Sequence, residues 1–318
     1  MSTSTAVAER SGKASLGDRP RAPTAPRLRM ARLTSTDLGL LLMAVIWGAN
    51  FAFVKIGATA IGPLPFNAAR VLIGTVVLLA MVALMRGHWP ARREAVKLVA
   101  LGAVGNGLYQ ACFIEAIART SVASVAMVVS STPLWLALLG RWRGTERING
   151  RGWTGMVISL GGIAMVVFGA SASRASGHSW MGDLLALAGV GSWVVYITKL
   201  RPLTQTSDPL HLHALTMLGG ALTLLVIAAP QMAQVSWSTV PSNAWVALAY
   251  GSLAAMVFAY LLYYRGIRTL GPTRTSMYGN LQPIVALAAA AFLLGEIPTL
   301  WQEVGCALTV VGLLLARS

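Results

Sequence analysis

Residues 37–62 read DLGLLLMAVIWGANFAFVKIGATAIG, and no charge interrupts the run between Asp37 and Lys55. At about 1.5 Å of helical rise per residue, roughly 20 such residues cross the ~30 Å of hydrocarbon in a bilayer. The run is longer than the apolar core of a secretory leader and lacks a convincing small-residue cleavage site, so it reads as a retained membrane helix. Nine further runs follow, giving limits of 37–59, 64–85, 95–117, 121–140, 151–170, 181–200, 211–230, 243–264, 272–294 and 299–316. Turn residues punctuate the joints at Gly62-Pro63-Leu64-Pro65, Arg86-Gly87-His88-Trp89-Pro90, Ser207-Asp208-Pro209 and Gly295-Glu296-Ile297-Pro298.

Composition agrees with lipid as the solvent. Of 318 residues, 56% are hydrophobic and 11% charged, more apolar surface than a water-soluble core of this size hides. Residues 1–35 form a basic, Ser/Ala/Pro/Arg-rich tail with too little apolar surface to order itself. The net charge of +15 would suggest nucleic acid in a soluble protein, but here the basic residues lie between apolar runs, so no nucleic-acid partner is expected. Cys112 and Cys306 both fall inside apolar runs without partners at metal-ligand spacing. No metal and no cofactor is expected.

With a cytoplasmic N-terminus, twenty-one of the Lys and Arg residues fall on the cytoplasmic side. Lys55, Arg119 and Arg174 fall outside, and Arg70 lies within the second run. This asymmetry is what retention of basic loops produces, and it puts both termini in the cytoplasm.

The chain also repeats itself. A shift of 146 residues lays Asp37 on Asp183 and Trp47 on Trp193. A shift of 150 lays Met127 on Met277, Pro133 on Pro283, Glu146 on Glu296, Gly155 on Gly305, Ser159 on Thr309 and Gly162 on Gly312. Five spans per copy is an odd number, so the second copy must be inverted in the membrane, the architecture of many alternating-access carriers. The expected fold is therefore an all-α integral membrane protein of about ten transmembrane helices in two inverted five-helix repeats. Its regions are a tail at 1–35, a first repeat at 36–172 and a second at 179–317.

Several motifs resemble those of the ten-helix EamA-type carriers of the drug/metabolite transporter superfamily. They are Trp47-Gly48-Ala49-Asn50-Phe51 with Lys55, Ala69-Arg70, Pro133 and Pro283, and Leu294-Gly295-Glu296. The resemblance runs over roughly residues 36–316. It departs at Gly140-Arg141-Trp142-Arg143-Gly144-Thr145-Glu146, where the family has Gly and Glu adjacent. It implies a central cavity between the two halves and a secondary transporter, an exporter of amino acids or related organic solutes, in a bacterial plasma membrane.

The residues themselves nominate a site. In the third span Gly102, Asn106, Tyr109 and Phe113 share one helical stripe, with Gln110 beside it. Polar groups in hydrocarbon need partners, so this stripe should face the bundle interior, either lining a cavity or bonding a neighbouring helix. The fourth and ninth spans hold Met127, Ser130, Ser131 and Pro133 in one copy, and Met277, Tyr278, Asn280, Gln282 and Pro283 in the other. Each proline frees the carbonyl four residues earlier, at Val129 and Gly279, a feature expected where backbone meets a ligand or a packing kink.

Trp47, Asn50, Trp193, Tyr196 and Tyr260 add aromatic surface with polar tips, suited to an amphipathic solute or an organic cation. Tyr263 and Tyr264, next to Arg265, read instead as part of the interfacial aromatic belt. Lys55, Arg70 and Glu115 all fall in the outer half of the membrane. An ion pair from Glu115 to either base would make a gate or a coupling site, and snorkelling of the bases is the alternative.

Asp37, Asp183, Glu146 and Glu296 stand at helix N-termini, where the helix dipole accounts for them. The small-residue stripes Gly155/Ser159/Gly162 and Gly305/Thr309/Gly312 allow close helix packing, within one chain or in a homodimer. An integral-membrane enzyme is the first rival reading. The four histidines lie outside the spans or at their ends, and no phosphate-binding loop is present, so no enzyme is expected. A channel is the second rival, but it should carry charged rings or repeated carbonyl filters. A small-molecule solute and the lipid bilayer are the expected partners.

Overall fold

The first helix begins where the sequence provides a reciprocal cap. The Asp37 amide donates to Thr34 Oγ1 (3.2 Å), and the Thr34 amide donates to Asp37 Oδ2 (2.7 Å). Two otherwise orphaned donors are thereby satisfied, which typically stabilises a helix start by about 1 kcal/mol. The helix ends at Gly62, whose φ of 99° suits a residue without a Cβ, and Pro63 at once starts the next helix.

The structure is a computed structural model that describes residues 34–85, 89–144, 150–172, 179–200, 202–205, 207–270, 275 and 278–316. The basic tail expected at 1–35 lies almost wholly outside them. Among the described residues there are helices and no strands. We label the helices α1 (Ser35–Ile61), α2 (Pro63–Leu84), α3 (Arg92–Arg119), α4 (Val122–Trp142), α5 (Gly150–Ala172), α6 (Trp180–Leu200), α7 (Pro209–Met232), α8 (Ser242–Leu270), α9 (Gln282–Leu294) and α10 (Leu300–Ala316). Seven of them, α1 to α4 and α6 to α8, are long and apolar enough to cross a membrane. α5, α9 and α10 are not among the seven; α9 has 13 residues and α10 has 17.

Leu84, Trp142, Val226 and Phe292 are each more than three-quarters exposed (82, 82, 78 and 90%). Large apolar side chains displayed this way are a liability in water and ordinary against lipid tails. Trp89, Trp142, Trp180 and Trp301 are exposed at or near helix ends, where an aromatic belt would meet the headgroups.

Packing joins helices from the two halves of the sequence. α1 lies against α8 and α9, α2 against α7 and α8, α3 against α6 and α7, and α5 against α10. Glycines set the closest crossings. A Cβ at Gly102 would strike the Thr216 carbonyl, and one at Gly219 the Val99 carbonyl, so α3 and α7 meet backbone to backbone. A Cβ at Gly162 would come within 2.6 Å of the Gly305 carbonyl, and one at Gly312 within 2.5 Å of the Gly155 carbonyl. The stripes that could have joined two copies therefore join α5 to α10 of a single chain.

Two helices contain a π-helical stretch, Ala103–Leu108 in α3 and Tyr250–Phe258 in α8. α4 is broken between Val122–Ser130 and Thr132–Trp142, and α9 is preceded by a single 3₁₀ turn at Gly279–Leu281. Pro133 and Pro283 each sit in the first turn of the segment that follows, where a missing N–H costs nothing.

Candidate functional site

Asn67 and Arg70 are three residues apart on α2, so they share a face, and that face turns into the bundle. Both are fully buried. The Arg70 Nη2 group donates to Asn67 Oδ1 (2.6 Å) and Gln110 Oε1 (2.8 Å), and Nη1 reaches Asn50 Oδ1 at 3.5 Å. Asn67 Nδ2 in turn donates to the Gln110 carbonyl (2.8 Å). The guanidinium carbon stands 5.9 Å from the centre of the Phe66 ring. Gly251 on α8 makes room for the Arg70 stem, since a Cβ there would strike Cδ. A cation is thus held between α1, α2, α3 and α8 by neutral oxygens.

The ion pair expected between Glu115 and Arg70 or Lys55 does not form. Glu115 pairs instead with Arg119, one turn further along the same helix, where side chains four apart meet without help from tertiary structure. Lys55 Nζ donates to the carbonyls of Ile117 (2.7 Å) and Thr120 (2.8 Å) at the end of α3, capping groups that a helix C-terminus leaves unpaired. Arg70 is buried too deeply to snorkel.

Beside Arg70 lies a continuous aromatic cluster. Trp47 meets Tyr260 edge-on (4.9 Å between centroids) and also contacts Tyr263 (5.3 Å). Trp193 touches Tyr109 and Tyr196 (5.0 Å each), and Tyr109 stacks on Phe113 (5.8 Å). Polar tips fix the rings: Trp47 Nε1 donates to the Ala255 carbonyl (3.0 Å), and the Tyr196 and Tyr264 hydroxyls are 3.3 Å apart. Trp47, Tyr109 and Trp193 are only half-buried. Tyr264 is buried and Tyr263 partly so, each in contact with other rings, which places them with the cluster and corrects their reading as interfacial belt.

Asn106 is fully buried where the π-helical stretch of α3 crosses α7, near the Tyr196 hydroxyl and against Gly220. His213 on α7 was read as lying at a span end. It is fully buried, its Nε2 donates to the Met256 carbonyl (2.8 Å), and its ring stacks on Tyr260 at 4.6 Å. The signal that could have found it is its place four residues into an apolar run after Pro209. The π-helical stretches were equally unread; such turns re-aim side chains and concentrate at functional sites.

The broken helix α4 satisfies its own carbonyls. Ser130, Ser131 and Thr132 hydroxyls donate to the carbonyls of Met127 (2.7 Å), Val128 (2.5 Å) and Val129 (2.6 Å). The Val129 carbonyl freed by Pro133 is therefore occupied by Thr132. Met127 is buried against Cys306 of α10 and does not reach the aromatic cluster. Gln282 opens α9, and its carbonyl lies against Gly48 of α1, 2.9 Å from where a Cβ would stand. Met277 lies outside the described residues, as do the side chains of Pro133 and Asn280.

Both ends of the bundle are tied across the sequence halves. At one end the Val122 amide donates to Glu296 Oε2 (3.2 Å), and Gln302 Nε2 donates to Ser121 Oγ (3.2 Å). Glu296 thus serves the start of α4, although sequence assigned it to α10. At the other end the Tyr278 hydroxyl donates to Asp37 (2.5 Å). Glu146 lies outside the described residues. Asp208 caps α7: burial pushes its carboxyl up, but the Leu210 amide and the His211 ring and amide outweigh that and hold it below its ordinary value. A cleft of about 260 Å³ lies beside it, lined by Pro209, Leu261, Arg265, Arg268 and Thr269.

The sequence model of the EamA-like transporter family matches residues 34–168 and again 180–318. Among curated relatives, the uncharacterized transporter YyaM of Bacillus subtilis is 27% identical over 87% of this chain and 92% of its own. An uncharacterized transporter of Archaeoglobus fulgidus is 26% identical over 90% and 98%, respectively. The uncharacterized inner membrane transporter YedA of Escherichia coli K12 is 28% identical over 85% and 86%. A solved crystal structure superposes with a TM-score of 0.62 at 18% identity, covering 90% of this chain and 99% of that one, a likeness of fold alone.

Proposed function

The chain belongs to the EamA-like transporter family and is a membrane transporter, and from that premise we propose that it is a secondary carrier of small organic solutes. Ten spans in two inverted five-helix halves rock about a central chamber, with both termini in the cytoplasm and the bundle in a bacterial plasma membrane. The solute is an amino acid or a related metabolite, moved outward.

One observation carries this reading: a fully buried guanidinium and a ring of half-buried aromatics converge on the same interior from α1, α2, α3, α6 and α8. Ionisable groups inside a membrane bundle are costly and are kept for pathways and binding. The inverted-repeat reading is supported by the double match to one family model, by π-helical stretches in both α3 and α8, and by the breaks before Pro133 and Pro283. Occupied carbonyls at the α4 break favour a hinge there over a direct ligand contact.

Uptake into proteoliposomes, scanned with labelled amino acids and organic cations, tests the reading. Wild-type vesicles should accumulate at least one solute above protein-free vesicles, and Tyr109→Ala and Trp193→Ala should each reduce that flux by about tenfold or more, as loss of an aromatic contact at a binding centre commonly does. Flux unchanged in both variants would remove the chamber from the path.

A further inference from the structure

Arg70 is the one fully buried cation among the described residues, and its neighbours make an unusual set. Its oxygen partners are three carboxamides, and no carboxylate among the described residues is within hydrogen-bonding or ion-pair reach of it. Glu115, Asp208 and Glu296 are each engaged elsewhere, on Arg119, on the α7 cap and on the Val122 amide. The donors of the guanidinium are also unevenly used. Nη2 has two short bonds, Nη1 has only the 3.5 Å contact to Asn50, and Nε is buried with no partner.

A buried cation is stable when paired, and removal from water without a counter-ion is costly. Neutral carboxamide oxygens hold the guanidinium in place while leaving its charge unneutralised. Tyr109 and Tyr260, which belong to the aromatic cluster, are its electrostatic neighbours, so the uncompensated charge adjoins that cluster. Such a field attracts an anionic group and repels a cation, whatever the aromatic rings would otherwise offer to a cation. Trp47, Tyr109, Trp193 and Tyr260 supply contact for an apolar or aromatic body.

We propose that the transported solute bears a carboxylate, being an anionic or zwitterionic small molecule with an apolar or aromatic body, and that Arg70 receives that carboxylate. This rests on the carrier reading above. Nη1 and Nε are the donors it takes up, with the long Asn50 contact giving way, so that binding changes the tie between α1 and α2. Organic amines without a carboxylate are excluded by the same charge.

Matched ligands isolate the carboxylate. The purified full chain in detergent is heated with L-phenylalanine, 3-phenylpropanoate or phenethylamine, then with the corresponding set built on the indole ring, and binding is read as a rise in melting temperature. The two carboxylates of a set should raise it and the amine should not. Arg70→Gln should abolish the shift, whereas Arg70→Lys should keep it with affinity weakened by about tenfold, since a point charge replaces a planar fork. Asn50→Asp guards against a folding defect in the Arg70 variants: a built-in carboxylate beside Nη1 should compete with the ligand and cut the shift while the protein stays monodisperse.

Equal shifts from amine and acid, or undiminished carboxylate shifts in Arg70→Gln or Asn50→Asp, overturn the proposal. If sugars or organic cations alone bind and cross proteoliposomes, the carboxylate assignment falls and the carrier stands. If no solute of the panel binds or crosses, both fall.

Discussion

At the scale of single residues, the sequence announced which groups are unusual but not whom they would meet. Arg70 was legible because an arginine inside an apolar run needs a reason. Its partners were not, because the face a side chain takes around its helix depends on how neighbouring helices pack, and the i, i+4 neighbour Arg119 claimed the Glu115 carboxylate first. His213 was missed because its helix begins at Pro209, two residues earlier than the 211 that the hydrophobic pattern alone suggests. Asp208 supplies a test at this scale. Its folded-state carboxyl lies below the unfolded value, so its contribution is present above the unfolded pKa and is lost as pH falls through the folded one. Melting temperature in detergent should therefore drop as pH is lowered from about 5 to about 3, and Asp208→Asn should show a smaller drop. An identical pH dependence in both proteins would mean the cap contributes nothing.

At the scale of helices, apolar length was the readable quantity. The limits of α1, α2, α3, α4, α6 and α7 fall within three residues of those expected, because a span must cover a fixed thickness of hydrocarbon. α8 runs six residues past its expected end, to Leu270, and this extension carries Arg265 and Arg268 out of the apolar run. What length cannot reveal is internal irregularity, and neither π-helical stretch left a Pro or a charge to mark it. The small-residue stripes were legible as packing surfaces, and the structure supplies their partner. At Gly312 an added methyl would meet the Gly155 carbonyl and the Ser159 backbone, which cannot retreat as a side-chain tip can. Gly312→Ala should lower unfolding stability by about 1–3 kcal/mol, the usual cost of overpacking a tight contact, whereas Gly161→Ala, with nothing within 4 Å, should leave it unchanged. Equal stability of the two variants, measured by thermal or denaturant unfolding, would contradict the backbone contact between α5 and α10.

At the scale of the whole molecule, the internal repeat was the most informative sequence signal. Equivalent prolines, equivalent glycines and matching Trp47 and Trp193 pointed to two copies, and the family model matches each half separately. Both ends of the bundle are closed by contacts between the two halves of the sequence: Asp37 with Tyr278 at one, Val122 with Glu296 at the other. The alternating-access cycle proposed above requires these two ties to open in turn. The identity of the solute was not legible at this scale, since Arg70 and the aromatic cluster beside it draw on residues from Trp47 to Tyr260. Counterflow tests alternating access most directly. Proteoliposomes loaded with an unlabelled solute found to bind are diluted into a trace of the same solute labelled, and internal label is followed over time. A carrier returns from each export loaded with label, so internal label should overshoot its equilibrium value and then decay. A simple rise to equilibrium, indifferent to the internal load, would contradict alternating access and favour a channel.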